Sequence, residues 1–224
     1  MPAVWIQYGR LRPFSFSELQ GEGDDAGKMQ SMRGGRKQLH VRIMIPLEKK
    51  FIPESCFALL FIEKPEIPDR IRRVADERGL TEKYETHISV VVTRNARKLR
   101  EVISKSGDPE KLKEEIKSLF VGFSWEFSLT DEYFLQEKFY SQKELQEDGH
   151  LDLPEHTRRT IIQKVELPDI KIFYKKLSDL LNVPMGVPVP HVTLFSWSDH
   201  TPLMMRGIGI SSEDDFENYS RGKL

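Results

Sequence analysis

A short pattern occurs twice in the chain, each time inside an apolar run rich in β-branched residues. His87 and Ser89 belong to the run ETHISVVV, and His191 and Thr193 belong to the run PHVTLFSW. Residues of these types favour a pleated, half-buried surface, so both runs predict strands. Successive side chains of a strand point to opposite faces, which places the histidine and the hydroxyl of each copy on one face.

The elements predicted around the two copies follow the same order. A buried strand at 56–63 and a helix opened by Pro68 precede the first copy, and a strand at 160–167 and a helix opened by Pro168 precede the second. This order indicates an internal duplication of architecture. Two similar lobes that meet along their histidine strands would bring the two copies together.

The other elements are predicted from periodicity and turn residues, and together they indicate an α+β fold. They are a first strand at 39–45, helices around 96–103 and 112–119 separated by Asp108-Pro109, strands at 123–129 and 133–140 that pair, a long surface loop at 141–158, and a short last helix capped by Ser211 or Ser212.

Composition narrows the class of protein. The 34 Lys and Arg residues against 35 Asp and Glu argue against a chain that coats nucleic acid as a polycation, although a local basic patch stays open. The longest apolar run, residues 56–62, is too short to span a bilayer, and no secretory signal is recognisable. A single cysteine, Cys56, suits a reducing compartment. We therefore expect a cytoplasmic protein without a membrane partner, most simply a monomer.

The N-terminal stretch differs from the rest of the chain. Residues 1–37 are polar and glycine-rich, and no apolar period emerges from them, although Trp5, Phe14 and Phe16 are unusual for a disordered tail. We expect an N-terminal extension at 1–37 that is disordered or loosely docked, followed by a single domain at 38–224.

Two histidines on adjoining strands suit the cleavage of a phosphodiester. One imidazole can take a proton from the attacking oxygen and the other can donate one to the leaving oxygen, without a metal or another cofactor. The hydroxyls of Ser89 and Thr193 would bind the non-bridging oxygens. A single strand histidine is usually structural, but two copies in equivalent settings favour function. A metal site formed by His191 with Asp199 and His200 is a weaker alternative, because no zinc-ligand spacing is present.

The paired motifs His87-Ile88-Ser89 and His191-Val192-Thr193 resemble the two H-x-[ST] signatures of the 2H phosphoesterase superfamily. That group includes 2′-5′ RNA ligase-like proteins and 2′,3′-cyclic nucleotide phosphodiesterases. The resemblance covers about residues 38–210. It implies a bilobal, pseudo-symmetric fold with antiparallel sheets around a central groove and helices packed outside. It also implies metal-independent hydrolysis, with His87 and His191 as the acid/base pair and Ser89 and Thr193 as phosphate ligands.

Three functions compete at this point. The first is a phosphodiesterase acting on RNA ends or small nucleotides, with a 2′,3′-cyclic phosphate or a 2′-5′ linkage. The second is a non-catalytic module of the same fold that binds a nucleotide or RNA end, and the third is a structural domain with coincidental histidines. Period-two alternation further places Phe195 and Trp197 on the face of His191. We expect Phe195 to belong to the core and Trp197, at the end of the strand, to stack on a nucleobase.

Overall fold

The computed structural model describes residues 43–147 and 150–224. The expectation for residues 1–37 lies outside this part of the chain. The strands within it are β1 (Glu48–Ile52), β2 (Phe57–Phe61), β3 (Thr81–Glu82), β4 (His87–Val91), β5 (Ser128–Tyr140), β6 (His156–Glu166), β7 (His191–Ser198) and β8 (Ser220–Lys223). The helices are α1 (Asp69–Glu77), α2 (Thr93–Ser104), α3 (Pro109–Gly122), α4 (Gln142–Glu147), α5 (Ile170–Leu181) and α6 (Glu213–Tyr219), with a 3₁₀ turn at Thr201–Leu203.

The strands form one antiparallel sheet in the order β1-β2-β4-β7-β6-β5-β8, and β3 pairs with β7 beside this path. The prediction of a mixed α+β class with antiparallel strands is confirmed. The motif strands β4 and β7 are neighbours at the centre of the sheet. Each pairs in antiparallel orientation with an earlier strand that lies before a helix. The chain leads from β2 through α1 and β3 to β4, and from β6 through α5 to β7.

Apolar side chains are buried on both faces of the sheet. Ile161 belongs to the main core, and Ile162 belongs to a second, smaller cluster, because consecutive residues of β6 point to opposite faces. Helices α1, α2, α3 and α5 contribute side chains to the main core. These include Ile71, Leu99, Phe120 and Phe173. The smaller cluster consists of Ile162, Val189, Ile208, Ile210 and Phe216.

Local sequence signals mark several helix boundaries as predicted. The Asp108 side chain accepts a hydrogen bond from the Lys111 amide at 3.1 Å, and Pro109 occupies the first turn of α3. Ser212, one of the two candidate caps, accepts from the Asp215 amide at 3.1 Å and begins α6. In the described part of the chain, no helix combines the length and apolar character needed to cross a membrane.

The predicted strand at 123–129 is wrong over most of its length. Its burial does alternate, but residues 123–126 join no ladder, and Phe127 forms only an isolated bridge with Met44. The Trp125 ring stacks on Phe123 at 5.2 Å between centroids and meets the edge of Phe173 of α5 at 5.3 Å. Alternation here reflects packing against helices rather than pairing between strands. The segment at 133–140 is therefore not a returning partner but the continuation of β5.

Two other predicted elements differ from the structure. In the described part of the predicted first strand at 39–45, Met44 forms a single bridge, and the edge strand begins after Pro46, at Glu48. A proline lacks the amide hydrogen that a ladder needs. The predicted loop at 141–158 contains α4 and the start of β6, because the short polar helix lacks the long apolar period on which the prediction relied.

A buried hydrogen-bond network joins the strand of the first motif to two helices. The Asn95 amide of α2 donates to the Tyr174 hydroxyl of α5 at 2.7 Å and to the Gly186 carbonyl at 2.8 Å. The Tyr174 hydroxyl in turn donates to the Val90 carbonyl of β4 at 2.8 Å. Burial raises the pKa of Tyr174, so the phenol stays protonated and keeps its donor role.

We expect Tyr174→Phe to lower the free energy of unfolding by about 1–3 kcal/mol, because the Val90 carbonyl and one Asn95 donor lose their partner in a buried setting. Denaturant titration measures this loss. Tyr84→Phe is the matched control, since Tyr84 is 78% exposed, and its effect should stay within about 0.5 kcal/mol. Equal stability of the two variants would show that the network does not stabilise the fold.

Candidate active site

The two motif strands meet at a single residue pair. Ile88 of β4 lies opposite Val192 of β7 in antiparallel register. Continued by one residue in each direction, this register sets His87 beside Thr193 and Ser89 beside His191. Ile88 and Val192 are fully buried in the main core. The histidines and hydroxyls on either side of them therefore point to the other face of the sheet.

A β-bulge follows the motif in each copy, at the same position. On β4, Ser89 lies opposite Leu59 and Val91 opposite Ala58, which leaves Val90 as the extra residue. On β7, Thr193 pairs with Ile162 and Phe195 pairs with Ile161, which leaves Leu194 as the extra residue. In both copies the extra residue stands three positions after the histidine. The two motif strands thus share a backbone irregularity at the same position relative to their histidines.

The structure brings the four motif residues together around one cavity of about 160 Å³. Its walls come from β2, β4, β7, the start of α2 and the segment 207–209. The lining residues are Phe57, Lys83, His87, Ser89, Val92, Thr93, His191, Thr193, Gly207, Ile208 and Gly209. The described lining contains two imidazoles, three hydroxyls and one ammonium group, and no carboxylate belongs to it.

Two glycines keep the wall opposite the sheet close to the hydroxyls. A Cβ atom on Gly207 would lie 3.0 Å from the Thr193 Oγ1, and one on Gly209 would lie 3.2 Å from the Thr93 Oγ1. Any side chain at these positions would displace a hydroxyl that lines the cavity. The sequence carries no local signal for this GIG segment, because nothing near it along the chain ties two glycines in the C-terminal tail to Thr193.

His191 is held by the backbone beside it. The imidazole is buried, and its Nδ1 lies 2.8 Å from the Val189 carbonyl oxygen. A carbonyl only accepts, so Nδ1 carries the hydrogen and Nε2 is the nitrogen left to exchange a proton. Burial lowers the pKa of His191, while the carbonyls of Val189 and Ile208 act to raise it.

His87 has a different electrostatic setting. Its side chain is 28% exposed, and its Nδ1 is buried without a hydrogen-bond partner in the described chain; the nearest carboxylate oxygen, from Glu85, is 3.6 Å away. Burial, and then the positive charges of Lys83 and His191, lower the pKa of His87 to about 4. Burial thus disfavours the charged form of both rings, and backbone carbonyls oppose this effect at His191.

Lys83 is the charged residue of the cavity that sequence reasoning missed. Its amide donates to the Leu194 carbonyl at 2.8 Å, just beyond the short β3, and its ammonium donates to the Met205 carbonyl. Burial lowers the pKa of Lys83, and the charge of Glu85 partly offsets this effect. A lone lysine four residues before the motif gives no periodic signal, and only the β3–β7 pairing brings it to the site.

The structure places Trp197 away from the cavity. The prediction that Phe195 and Trp197 share the face of His191 is wrong, because the bulge at Leu194 reverses the alternation. Phe195 is buried in the main core, and Trp197 pairs with Arg159, whose guanidinium carbon lies 4.8 Å from the indole centroid. A base stacked on Trp197 would thus contact the opposite face of the sheet.

The residues of the alternative metal site are dispersed. Both carboxylate oxygens of Asp199 accept from the Thr157 amide, at 2.9 and 3.0 Å, at the end of β7 remote from His191. The His200 ring lies 6.2 Å from that of His156. Over residues 43–147 and 150–224, no group of three or more His, Cys, Asp or Glu side chains is arranged to hold a metal ion.

Comparison of the chain with family models, curated proteins and solved structures finds no match.

Proposed function

We propose that this protein is a metal-independent phosphodiesterase that acts on RNA ends or small nucleotides carrying a 2′,3′-cyclic phosphate or a 2′-5′ linkage. The observation that carries the proposal is the composition of the cavity: His87, His191, three hydroxyls and Lys83, with no carboxylate in the described lining. Such a lining attracts an anion and supplies two groups that move protons.

The electrostatic difference between the histidines suggests their roles. His87, with its pKa lowered to about 4, is neutral at pH 7 and acts as the general base. It takes a proton from a water molecule as the water oxygen forms a bond to phosphorus. His191, whose charged form the carbonyls of Val189 and Ile208 stabilise against the effect of burial, acts as the general acid. It donates its proton to the ribose oxygen whose bond to phosphorus breaks, and the product is a phosphate monoester with a free hydroxyl.

The other polar groups suit the binding of the phosphate oxygens. Ser89 and Thr193 stand beside the opposite histidine in the register of β4 and β7, so their hydroxyls can donate to non-bridging oxygens between the rings. Lys83 supplies a positive charge from the side of β3. The N-terminus of α2, at Thr93, adds the partial positive charge of a helix dipole. These groups stabilise the charge that develops on the phosphate.

The proposal includes the bilobal 2H phosphoesterase-like fold. One half would be β1-β2-β4 and the other β7-β6-β5-β8, with the single pair of Ile88 and Val192 as the junction. The equivalent bulges at Val90 and Leu194 support this pseudo-symmetry. Because one chain supplies every group named above, a monomer suffices for activity. A free Cys56 is compatible with a cytoplasmic location.

We expect the protein to open 2′,3′-cyclic nucleotides after exhaustive treatment with EDTA and dialysis, because the two histidines supply both proton transfers. Phosphorus NMR of the products measures the reaction and reports whether a 2′ or 3′ monoester forms. Loss of activity that zinc or manganese restores would contradict the metal-independent mechanism.

The same samples distinguish the enzyme from the alternative function, a non-catalytic module that binds a nucleotide or RNA end. It predicts saturable binding of 2′,3′-cyclic nucleotides without turnover of these or of 2′-5′-linked dinucleotides. Absence of both binding and turnover would contradict a nucleotide function of either kind.

A further inference from the structure

The cavity is too small to enclose a whole nucleotide. Its volume is about 160 Å³, whereas pockets that enclose a small organic ligand usually measure about 300–1,000 Å³. A phosphate with part of a sugar fits such a space. Under the proposed function, the base of the substrate must therefore lie outside the cavity, on the surface that adjoins it.

An apolar strip on β2 borders the cavity on the side of His87 and Ser89. Leu59 lies opposite Ser89 and Phe61 lies opposite His87, so these side chains share the face of the motif residues. Phe57, on the same face of the strand, forms part of the cavity wall. We call Phe57, Leu59 and Phe61 the β2 strip. The alternating residues Ala58 and Leu60 are fully buried in the main core on the other face.

The outer end of the β2 strip offers an aromatic ring next to the site. Phe61 is half-buried and lies outside the main core, and its ring centroid is 5.7 Å from that of His87. The Lys50 ammonium lies 5.7 Å from the Phe61 centroid, so the ring is bordered by a positive charge. Lys83 lines the adjoining cavity, so the cavity and the Phe61 ring each have a positive charge nearby.

We propose that the β2 strip is the nucleobase subsite of this active site, with Phe61 as the ring on which the base stacks and Leu59 as the apolar floor. The inference rests on the proposed function, because it assumes that the phosphate lies between His87 and His191. Stacking on an aromatic ring tolerates any base, since every base has a π-face. The subsite thus selects nucleotides over base-free phosphodiesters but does not distinguish strongly among the four bases.

Phe61 has an alternative role, which is to shield the His87 ring from water. A comparison of two substrates distinguishes this role from stacking on the base. Adenosine 2′,3′-cyclic phosphate carries a base, and 1-O-methylribose 2,3-cyclic phosphate does not. We expect Phe61→Leu, which keeps an apolar side chain but removes the ring, to raise KM for the adenosine substrate about tenfold and to leave the abasic substrate unchanged. Phe139→Leu is the matched control, because Phe139 is 58% exposed on β5 and lies outside the cavity lining.

Each result decides between the two roles. An equal effect of Phe61→Leu on both substrates would assign Phe61 to the support of His87, and no effect on either would exclude stacking at this ring. Calorimetric binding of adenosine 2′-monophosphate and of 1-O-methylribose 2-phosphate repeats the comparison without catalysis. If nothing is turned over, but Phe61→Leu still weakens only the adenosine ligand, the proposed enzyme is wrong and the base subsite stands.

Discussion

Replacing His87 or His191 with alanine is expected to lower kcat/KM for a 2′,3′-cyclic nucleotide by about 10²-fold or more. Each substitution removes one of the two proton transfers, and a positioned acid or base typically contributes about 10²–10⁴-fold. The double variant should lose less than the product of the two single losses, because the two rings act on the same transition state. Steady-state kinetics of the three variants measure these losses.

His200→Ala is the control for this series, since His200 lies outside the cavity lining and should leave kcat/KM nearly unchanged. Circular dichroism and thermal melting should match the wild type in every variant compared. A folded His87→Ala or His191→Ala variant with wild-type kinetics would contradict the two-histidine mechanism. Binding of phosphate by both variants, with loss of turnover alone, would separate the proton transfers from the binding of the anion.

Lys83→Met is expected to change the pH dependence as well as the affinity. Lys83 is, after burial, the largest cause of the lowered pKa of His87, so removing its charge raises that pKa from about 4 toward the ordinary value. A general base must be neutral, so kcat/KM rises with pH through the pKa of His87. The rising limb of the profile should therefore move to higher pH in Lys83→Met, and activity near pH 5 should fall.

The falling limb reports loss of the proton from His191. Its pKa is lowered by burial, so kcat/KM of the wild type should be greatest on the acid side of about pH 6.5. An anionic substrate stabilises the protonated rings, and for that reason the profile of kcat should lie at higher pH than that of kcat/KM. Because the two rings interact, the measured values belong to the pair.

Two further variants isolate the charge of Lys83. Lys83→Arg keeps the cation and should keep the rising limb in place. Lys98→Met is the matched control, because the Lys98 ammonium also donates to a backbone carbonyl, that of Pro184 at 2.6 Å, but lies on α2 outside the cavity lining. We expect Lys83→Met alone to raise the Kd for inorganic phosphate about tenfold, since it removes a charge from a partly desolvated site. An unchanged profile and an unchanged Kd would exclude Lys83 from the site.

The proposed subsite on β2 and the cavity residues should affect different sets of substrates. His87, His191 and Lys83 act on the phosphate and its protons, so their loss affects every phosphodiester. Phe61 acts on the base and affects only substrates that carry one. A panel of nucleotide and abasic substrates therefore separates the chemistry of the cavity from recognition beside it.

The sequence by itself determined the features that depend on neighbours along the chain. Strand alternation within three residues was enough to pair His87 with Ser89 and His191 with Thr193, and both pairs line one cavity. The cap at Asp108 followed from side-chain bonds that form within one turn. The repeated order of strand, helix and motif strand followed from periodicity, because each element has its own apolar period.

Only the tertiary structure decided the features that depend on pairing between distant segments. The bulge at Leu194 arises from the register of β7 against β6, and it turns Trp197 to the opposite face of the sheet. Lys83 reaches the cavity because β3 pairs with β7 and because its ammonium donates to the Met205 carbonyl, 122 residues further along the chain. Gly207 reaches it where the tail lies against Thr193. Local propensity carries no information about such contacts, because their free energy is gained only when the sheet is assembled.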